Sequence, residues 1–463
     1  MPRIGVGLGL GLGGPRVWTP ARLPAGRVLR WSSARTLTQF AAGTTDGSGA
    51  VSSGGTAGRW TDLSTTADAF VQASAGLRPV VQAHAKGKGA IVNGSGELGA
   101  GGKFMATGAS VSGIKYIYAV ATIVGPDSNR TASADPPQLW ADGYHGLTGT
   151  APVATGAVLL TGFAGQQRWT EGSLTEYARD GTVLAADATA MAAGAALAGY
   201  GRRRTIHRVK HGTTADAGAL NLLRHVGYDG FYWRGGVHEI IALSASTTAA
   251  ELLKIEAYLQ SFWLAGALVV VTGDSLMAGY NLTETQGPAG LLHEAYNRCV
   301  SVPAIAVPGQ GIGSSISPLT DTLLTTDAAK LAALKARHSP AVVVALCGTN
   351  DLANSRTAAQ LRADLIAYCA AVQALGWKVI VGTIASRTKD TDGVTNWPAG
   401  KETERTTFNT ALRADHAFAD GFVDVDTIAP TLAGDGIHWT SGGTASVTTG
   451  TGGIKDAVDA LLP

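Results

Sequence analysis

The sequence is poor in charged residues, and the two signs nearly cancel. Charged residues make up 15% of its 463 residues, against roughly 25% in an average soluble chain. Its 36 Lys and Arg face 34 Asp and Glu, which leaves a formal net charge of +2. A balance this even excludes a protein that binds nucleic acid through its overall electrostatic field. The sequence therefore predicts no nucleic-acid partner.

Cysteines and long apolar runs are also scarce. The three cysteines, Cys299, Cys347 and Cys369, cannot all pair with one another and stand among apolar residues. We predict that they are small core residues and that disulfides are absent. Near the N-terminus, residues 4–12 alternate glycine with aliphatic residues, far short of the ~20 residues that span a bilayer. The sequence predicts neither membrane insertion nor a signal peptide.

What the chain does contain is enough apolar material for more than one core. Hydrophobic residues account for 45% of the sequence, and its length exceeds the ~100–200 residues of a typical domain. The 62 glycines follow no Gly-X-Y period and therefore indicate turns. Residues 1–31 contain five arginines and no acid. They predict a basic arm that docks on an acidic partner surface, or else a loose terminus.

Short β-type segments dominate residues 32–264, which we predict to form one domain. β-branched and aromatic residues cluster between glycine-rich turns at residues 114–120, 157–160, 205–209 and 239–243. Such spacing favours an antiparallel β-sandwich. Thr248 and Glu251 then predict a capped helix that closes this domain.

A basic cluster lies inside this region. Arg202, Arg203 and Arg204 are followed by Arg208 and Lys210. The cluster raises the question of RNA binding, but no aromatic residues are interleaved with it. We therefore predict a solvated hairpin.

Residues 265–463 have a different pattern of apolar residues. Apolar runs alternate with helical segments at residues 267–272, 302–307, 341–346, 378–384 and 421–425. This alternation predicts a doubly wound α/β domain with a five-stranded parallel sheet. Thr357 and Gln360 predict a capped helix between the third and fourth runs, with Gly376 as its end.

Polar residues stand where these strands are predicted to end, which is where reactive groups lie in such sheets. Gly273-Asp274-Ser275-Leu276 follows the first run, and we expect Ser275 at the N-terminus of a helix. Gly309 and Gly311 follow the second run, and Gly348-Thr349-Asn350-Asp351 follows the third. Asp435 precedes His438 by three residues. Taken singly, Ser275 is equally explained as a helix cap and Asn350 as a turn former.

Together, these four segments resemble the blocks of the SGNH, or GDSL, hydrolase superfamily, in order and spacing, over about residues 266–463. The resemblance implies a serine esterase in which Ser275 is the nucleophile, His438 the general base and Asp435 its orienting partner. It implies an oxyanion hole formed by the N–H groups of Ser275 and Gly309 and the side chain of Asn350. The chemistry needs no metal ion and no cofactor.

The second block departs from the commoner pattern of the superfamily. The asparagine often found before its glycine is absent, and Pro308 stands in that place. Gly311 is therefore a rival to Gly309.

The first domain resembles the concanavalin-like, laminin-G-like sandwiches of jelly-roll type found in phage and prophage tail proteins. The likeness rests on Arg59-Trp60-Thr61-Asp62, on Gly235-Gly236-Val237-His238-Glu239 and on Trp18-Thr19-Pro20. It implies a protein on the surface of a virion or phage-like particle. The arm would bind structural proteins of the particle, and the sandwich would bind or space a host cell-surface glycan.

The substrate that this combination suggests is an acetylated surface polysaccharide. Trp397, in a loop between the fourth strand and the next helix, and Trp439 are candidates for stacking on a sugar ring, although either could be a buried aromatic. Two other functions stay open: a non-enzymatic receptor-binding spike or adhesin, and a secreted lipase, which would need a signal peptide. A homo-oligomer also stays open, because the sequence shows no coiled coil or repeat that would demand one.

Overall fold

The computed structural model describes most of the C-terminal half and the better-defined strands of the N-terminal half. The described residues are 18–45, 48–64, 69–85, 89–92, 105–107, 113–123, 148–150, 161–163, 166–168, 174–185, 202–215, 220–222, 235–264, 268–283, 285–313, 322–335 and 341–462. The predicted strand at residues 157–160 and most of the basic arm lie outside them.

The N-terminal half is built from antiparallel strands. They are β1 Val28–Ser33, β2 Phe40–Ala41, β3 Arg59–Trp60, β4 Phe70–Val71, β5 Val80–Gln82, β6 Ala90–Val92, β7 Met105–Thr107, β8 Ile114–Ile123, β9 Thr148–Thr150, β10 Thr161–Phe163, β11 Gln166–Arg168, β12 Leu174–Arg179, β13 Thr182–Ala185, β14 Arg204–Ala215, β15 Leu220–Leu222 and β16 Gly235–Ser244.

Two main sheets share one core. An eight-stranded sheet has the order β13-β12-β14-β8-β16-β6-β5, with β1 also paired to β16, and a six-stranded sheet has the order β2-β3-β4-β7-β15-β9. A single hydrophobic cluster joins Trp60 and Phe70 of the smaller sheet to Ile117 and Ile241 of the larger one. Alternating side chains put one face of each sheet inward, which explains why the two sheets bury their apolar residues together.

A helix leads from this half to the next. α1, Ala249–Leu259, begins with the capping box that the sequence predicts: Thr248 Oγ1 accepts from the Glu251 N–H, and Glu251 accepts from the Thr248 N–H. Its buried residues Ile255 and Leu259 join the core shared by the two sheets. The helix thus covers part of the N-terminal half before the chain enters the second half.

The C-terminal half is a parallel sheet with helices on both faces. Its elements are β17 Leu268–Gly273, α2 Pro288–Ala295, α3 Ala328–Lys335, β18 Ala341–Leu346, α4 Thr349–Ala353, α5 Ala358–Ala374, β19 Lys378–Gly382, α6 Ala399–Ala414, β20 Gly421–Val423, α7 Val425–Ile428, α8 Ser441–Thr449 and α9 Ile454–Leu461. The strands pair in the order β17-β18-β19-β20, all parallel. Successive strand residues face opposite cores, Val269 one and Val270 the other, so both faces are covered.

The prediction of five strands in this sheet is wrong. Residues 302–307 run beside β17 but form only isolated bridges, such as Val271 to Ala304. Val271 donates to the Pro303 carbonyl and Ile305 donates to the Val271 carbonyl. Pro303 has no N–H to continue the ladder, so the segment does not form a regular strand.

The arginine cluster is not a solvated hairpin, contrary to prediction. Arg202, Arg203 and Arg204 are 0%, 3% and 1% exposed. The Arg202 carbonyl accepts from the Val302 N–H at 2.9 Å, and the Arg204 N–H donates to Ser301 Oγ at 3.2 Å. The cluster is buried because the start of β14 packs against the segment next to β17. It therefore joins the two halves of the chain.

Two other features bear on the predictions made above. All three cysteines are buried and unpaired, as predicted. None of the helices within the described ranges is long and apolar enough to cross a membrane.

Candidate active site

Backbone geometry at the end of β17 presents Ser275. Gly273 has φ of +137°, and a Cβ atom there would lie 2.0 Å from the Leu346 carbonyl oxygen of β18. Only glycine permits this close approach of two strands. The chain then turns, and Asp274 Oδ1 accepts from the Leu276 N–H at 3.0 Å.

The segment after Ser275 differs from the prediction. Residues 275–281 form successive turns rather than a regular helix, and the next helix begins at Pro288. One bond of the segment runs from the Tyr280 N–H to the Ser275 carbonyl at 2.9 Å. Gly279 and Asn281 have φ of +69° and +59°, which interrupts helical geometry.

Ser275, His438 and Asp435 meet at one point. His438 Nε2 lies 3.0 Å from Ser275 Oγ, and His438 Nδ1 lies 2.6 Å from Asp435 Oδ2. Asp435 Oδ1 also accepts from the N–H groups of Ile437 and His438, at 3.0 Å each. These bonds fix the imidazole with Nδ1–H toward the carboxylate, so Nε2 can accept the proton of Ser275.

Hydrogen bonds stabilise the ionised form of the Asp435 carboxyl group. Burial alone would raise the pKa of this carboxyl group, but the hydrogen bonds from His438 and from the Ile437 N–H outweigh that effect and lower the pKa. Asp435 is therefore ionised at neutral pH. It can stabilise an imidazolium at His438 during proton transfer.

Asn350 stands beside the turn that carries Gly309. Asn350, in the first turn of α4, donates through Nδ2 to the Gln310 carbonyl at 2.8 Å. One Nδ2 proton is thus used to hold the turn, and the amide carries a second. The next residue, Asp351, accepts from the N–H groups of Ile312 and Gly313 at 2.8 and 3.2 Å, which fixes the same loop to α4.

The structure separates the two candidate glycines. Gly311 forms a parallel bridge with Thr322, and its carbonyl accepts from the Leu323 N–H. Gly309 lies in a turn with φ of +83°. Within the described part of the chain, the N–H groups of Gly309 and Ser275 have no hydrogen-bond partner. These two groups are the backbone donors still available to a developing oxyanion.

A buried carboxyl group lies next to the nucleophile. Asp274 is 1% exposed, and burial raises its pKa to about 7, with the nearby Asp351 adding to the rise. Its side chain borders a cavity of about 20 Å³, space for one water molecule, which Cys347, Thr349 and Trp439 also line. Burial raises the pKa of the Cys347 thiol well above its usual value, so this thiol is no competing nucleophile at neutral pH.

The two tryptophans for which both sugar stacking and burial stayed open differ in their surroundings. Trp439 is 4% exposed and belongs to a hydrophobic core. Trp397 is half-buried, with the Arg387 guanidinium 4.4 Å and the Lys401 ammonium 5.3 Å from its ring centre. The ring of Trp397 is thus already in contact with two cations of the chain.

Sequence reasoning missed Tyr280 and Arg387. The Tyr280 ring lies 4.5 Å from the His438 ring, centre to centre, and is 37% exposed, so an aromatic surface does flank the site. Arg387 is 6% exposed and donates to Thr349 Oγ1 at 3.1 Å. Neither residue belongs to a sequence block, and only their contacts reveal them.

Comparison with known protein families finds a match to the C-terminal part of the chain. Residues 271–446 match the GDSL-like Lipase/Acylhydrolase family. No curated protein matches the chain. The match confirms the prediction of a GDSL-type hydrolase domain in the C-terminal part of the chain.

Several solved structures align with the chain. A carbohydrate acetylesterase family member from Sinorhizobium meliloti is 19% identical, with 42% of this chain and 99% of that chain covered and a TM-score of 0.35. The aryl esterase of M. smegmatis is 18% identical, with 42% and 100% covered and a TM-score of 0.35. A psychrotrophic esterase from Pseudoalteromonas sp. is 17% identical, with 42% and 98% covered and a TM-score of 0.32.

Proposed function

We propose that the C-terminal domain is a serine esterase that removes acyl groups, acetyl groups above all, from a host cell-surface polysaccharide. The observation that carries the esterase assignment is the pair of distances at His438: 3.0 Å to Ser275 Oγ and 2.6 Å to Asp435 Oδ2. Nucleophile, base and orienting acid are within hydrogen-bond reach of one another before any substrate binds.

The reaction proceeds in two steps. Ser275 Oγ attacks the ester carbonyl carbon while His438 Nε2 takes the hydroxyl proton, and Asp435 stabilises the imidazolium. The negative charge on the carbonyl oxygen is received by the N–H groups of Ser275 and Gly309 and by the free Nδ2 proton of Asn350. His438 then gives its proton to the leaving alcohol oxygen. Water, deprotonated by His438, then attacks the acyl-enzyme carbonyl carbon; the bond to Ser275 Oγ breaks, His438 returns the proton to Ser275, and the acid leaves.

The polysaccharide and the particle belong to the same proposal. A domain with two antiparallel sheets precedes the esterase, and its motifs resemble concanavalin-like sandwiches of phage tail proteins. Such a sandwich would bind or space the glycan, and the basic arm would bind structural proteins of a virion or phage-like particle. The esterase would then act on the polymer that covers the host cell.

The alternative is a non-enzymatic receptor-binding spike or adhesin that keeps the hydrolase fold as a scaffold. A scaffold without activity has no need to keep the Ser275 hydroxyl in contact with a histidine and a carboxylate. The 3.0 Å contact between Ser275 and His438 therefore favours the enzyme.

The test compares the protein with Ser275→Ala on p-nitrophenyl acetate and on O-acetylated host capsular extracts. We expect the variant to lose at least about 10³-fold in kcat. Ser446→Ala is the matched control, because the Ser446 hydroxyl is exposed and bonds only to the Gly442 carbonyl. Equal acetate release by Ser275→Ala and the unmodified protein would contradict the esterase. Release from p-nitrophenyl acetate but from no capsular extract would contradict the polysaccharide.

A further inference from the structure

Tyr280 is an exposed aromatic residue in contact with the catalytic histidine. It is 37% exposed, and of the large apolar side chains exposed among the described residues it is the one with an aromatic ring. The centres of the Tyr280 and His438 rings are 4.5 Å apart, and their planes are inclined by 32°. At this distance and angle, a face of the tyrosine ring lies against the imidazole. An aromatic surface directly beside the proton-transferring group therefore stays open to solvent.

The backbone fixes Tyr280 relative to the nucleophile. Its N–H donates to the Ser275 carbonyl at 2.9 Å. Gly279 and Asn281, on either side of it, both have positive φ, and the Leu282 N–H donates to the Gly279 carbonyl at 3.0 Å. Tyr280 is thus held in the same series of turns that presents Ser275. Its ring lies beside the reacting groups before any substrate binds.

Proton transfer decides which part of an ester lies next to Tyr280. His438 Nε2 gives its proton to the leaving alcohol oxygen, so this oxygen must come within hydrogen-bond distance of the imidazole. The carbonyl oxygen of the ester faces a different set of donors, the N–H groups of Ser275 and Gly309 and the side chain of Asn350. The alcohol, and not the acyl group, is therefore the part of the substrate nearest to the His438 and Tyr280 rings.

The open part of the Tyr280 ring suits a ring-shaped alcohol. Within the described part of the chain, no arginine or lysine lies over this ring, whereas Arg387 and Lys401 lie over Trp397. An aromatic face binds apolar surface and, through its negative π-system, the C–H groups that a pyranose ring turns outward on one side. An open-chain alcohol has no rigid face that could stack in this way.

We propose that the exposed Tyr280 ring forms the leaving-group subsite and stacks on the ring of the alcohol that carries the ester, which is the sugar ring in an O-acetylated polysaccharide. The proposal rests on the proposed esterase function and names the part of the substrate that the site selects. Because the alcohol departs before water attacks the acyl-enzyme, Tyr280 acts on acylation and not on deacylation.

The test compares three acetate esters that differ in the alcohol: a fully acetylated methyl glucoside, p-nitrophenyl acetate and ethyl acetate. In Tyr280→Ala, we expect kcat/KM to fall about 3- to 10-fold for the two esters with a ring and to stay unchanged for ethyl acetate. Tyr280→Phe keeps the ring and should restore the values of the unmodified enzyme. With p-nitrophenyl acetate, p-nitrophenol release reports acylation, and acetate release from the acyl-enzyme reports deacylation, whose rate should not change.

The matched control is Leu253→Ala. Leu253 is also a large exposed apolar residue, at 66%, but it lies on α1 beside the N-terminal half. All three esters should react with this variant as they do with the unmodified protein.

A structural role for Tyr280 predicts a different result. If its ring served only to hold the His438 imidazole, Tyr280→Ala would slow all three esters and deacylation as well, because His438 acts in both steps. That result would overturn the subsite, and so would unchanged kcat/KM values for all three esters. A loss with p-nitrophenyl acetate but not with the acetylated glucoside would overturn the assignment to a sugar ring.

A binding measurement separates the subsite from the esterase activity. Ser275→Ala lacks the nucleophile, so its binding of the acetylated glucoside is followed by saturation-transfer difference NMR without cleavage. We expect the signals of the sugar-ring protons to be lost when Tyr280→Ala is added and to persist with Tyr280→Phe. If the unmodified protein hydrolyses none of the esters but this pattern holds, the proposed function fails and the subsite stands. If hydrolysis requires Ser275 but the signals do not depend on Tyr280, the subsite fails and the esterase stands.

Discussion

At the scale of single residues, the buried Asp274 carboxyl group beside Ser275 makes the stability of the folded state fall as pH rises. Burial raises the pKa of Asp274 to about 7, so the folded state holds its proton more tightly than the unfolded state. The stabilisation that comes from this bound proton is fully present below the pKa of Asp274 in the unfolded chain. It is lost as pH rises through about 7, the pKa in the folded state. Asp274→Asn removes the titration and keeps an oxygen to accept from the Leu276 N–H.

We therefore expect the free energy of unfolding of Asp274→Asn to exceed that of the unmodified protein at pH 8 by on the order of a few kcal/mol. At pH 4 the two proteins should differ little. Scanning calorimetry at the two pH values measures it. Asp392→Asn is the control: this exposed group has a pKa lowered to about 2 by hydrogen bonds from Thr395 and Val394. Its effect should be nearly the same at both pH values. If Asp274→Asn changed the stability by the same amount at both pH values, burial would not raise the pKa of this carboxyl group.

The residues that the sequence could identify are those whose chemistry is tied to a strand end. Ser275 follows an apolar run directly, and a three-residue spacing places Asp435 against His438 in any tight turn. Tyr280 and Arg387 could not be identified in this way, because Tyr280 packs against His438, 158 positions further along the sequence, and Arg387 donates to Thr349, 38 positions earlier. No local pattern encodes such contacts.

At the scale of elements, the sequence predicts where helices begin better than it predicts which strands pair. The predicted capping pair at α5 is present: Thr357 Oγ1 accepts from the Gln360 N–H at 3.3 Å, and Gln360 Oε1 accepts from the Thr357 N–H at 3.0 Å. Caps involve residues three positions apart, so sequence alone suffices. The segment at residues 302–307 has strand-like composition, but Pro303 interrupts its hydrogen bonding to β17.

Removal of the cap gives a measurable prediction. Thr357→Ala loses the bond to the Gln360 N–H and should lower the stability of the C-terminal half by about 1 kcal/mol. Urea denaturation followed by the fluorescence of Trp377, which lies at the far end of α5, reports the change. Thr357→Ser keeps the hydroxyl and should stay near the unmodified protein. Equal midpoints for the alanine and serine variants would mean that the helix start does not depend on this bond.

At the scale of the whole molecule, the two halves are joined by buried polar contacts. Arg204, at the start of β14, donates to the carbonyl groups of Trp263 and Cys299, and burial lowers its pKa to about 10. Asn297 donates to the Ala83 carbonyl at 3.0 Å, and the His84 and Tyr296 rings pack edge to face. These groups would be unpaired if the halves separated. The sequence could not show this, because a run of arginines has the same composition whether it is solvated or buried.

Arg204→Ala tests whether the halves stabilise each other. The substitution leaves a cavity and removes the bonds from Arg204 to the Trp263 and Cys299 carbonyl groups, at about 3 kcal/mol. We expect faster amide hydrogen exchange on both sides of the junction, in β14 and in β17. Arg78→Ala is the matched control, because Arg78 also donates to backbone carbonyls, those of Gln72, Ala42 and Ala73, but only within the N-terminal half. In Arg78→Ala, amide exchange should become faster within the N-terminal half but stay unchanged in β17. Faster exchange on one side alone in Arg204→Ala would mean that the C-terminal domain folds independently of the N-terminal half, which would then be tethered to it rather than an integral part of one folded unit.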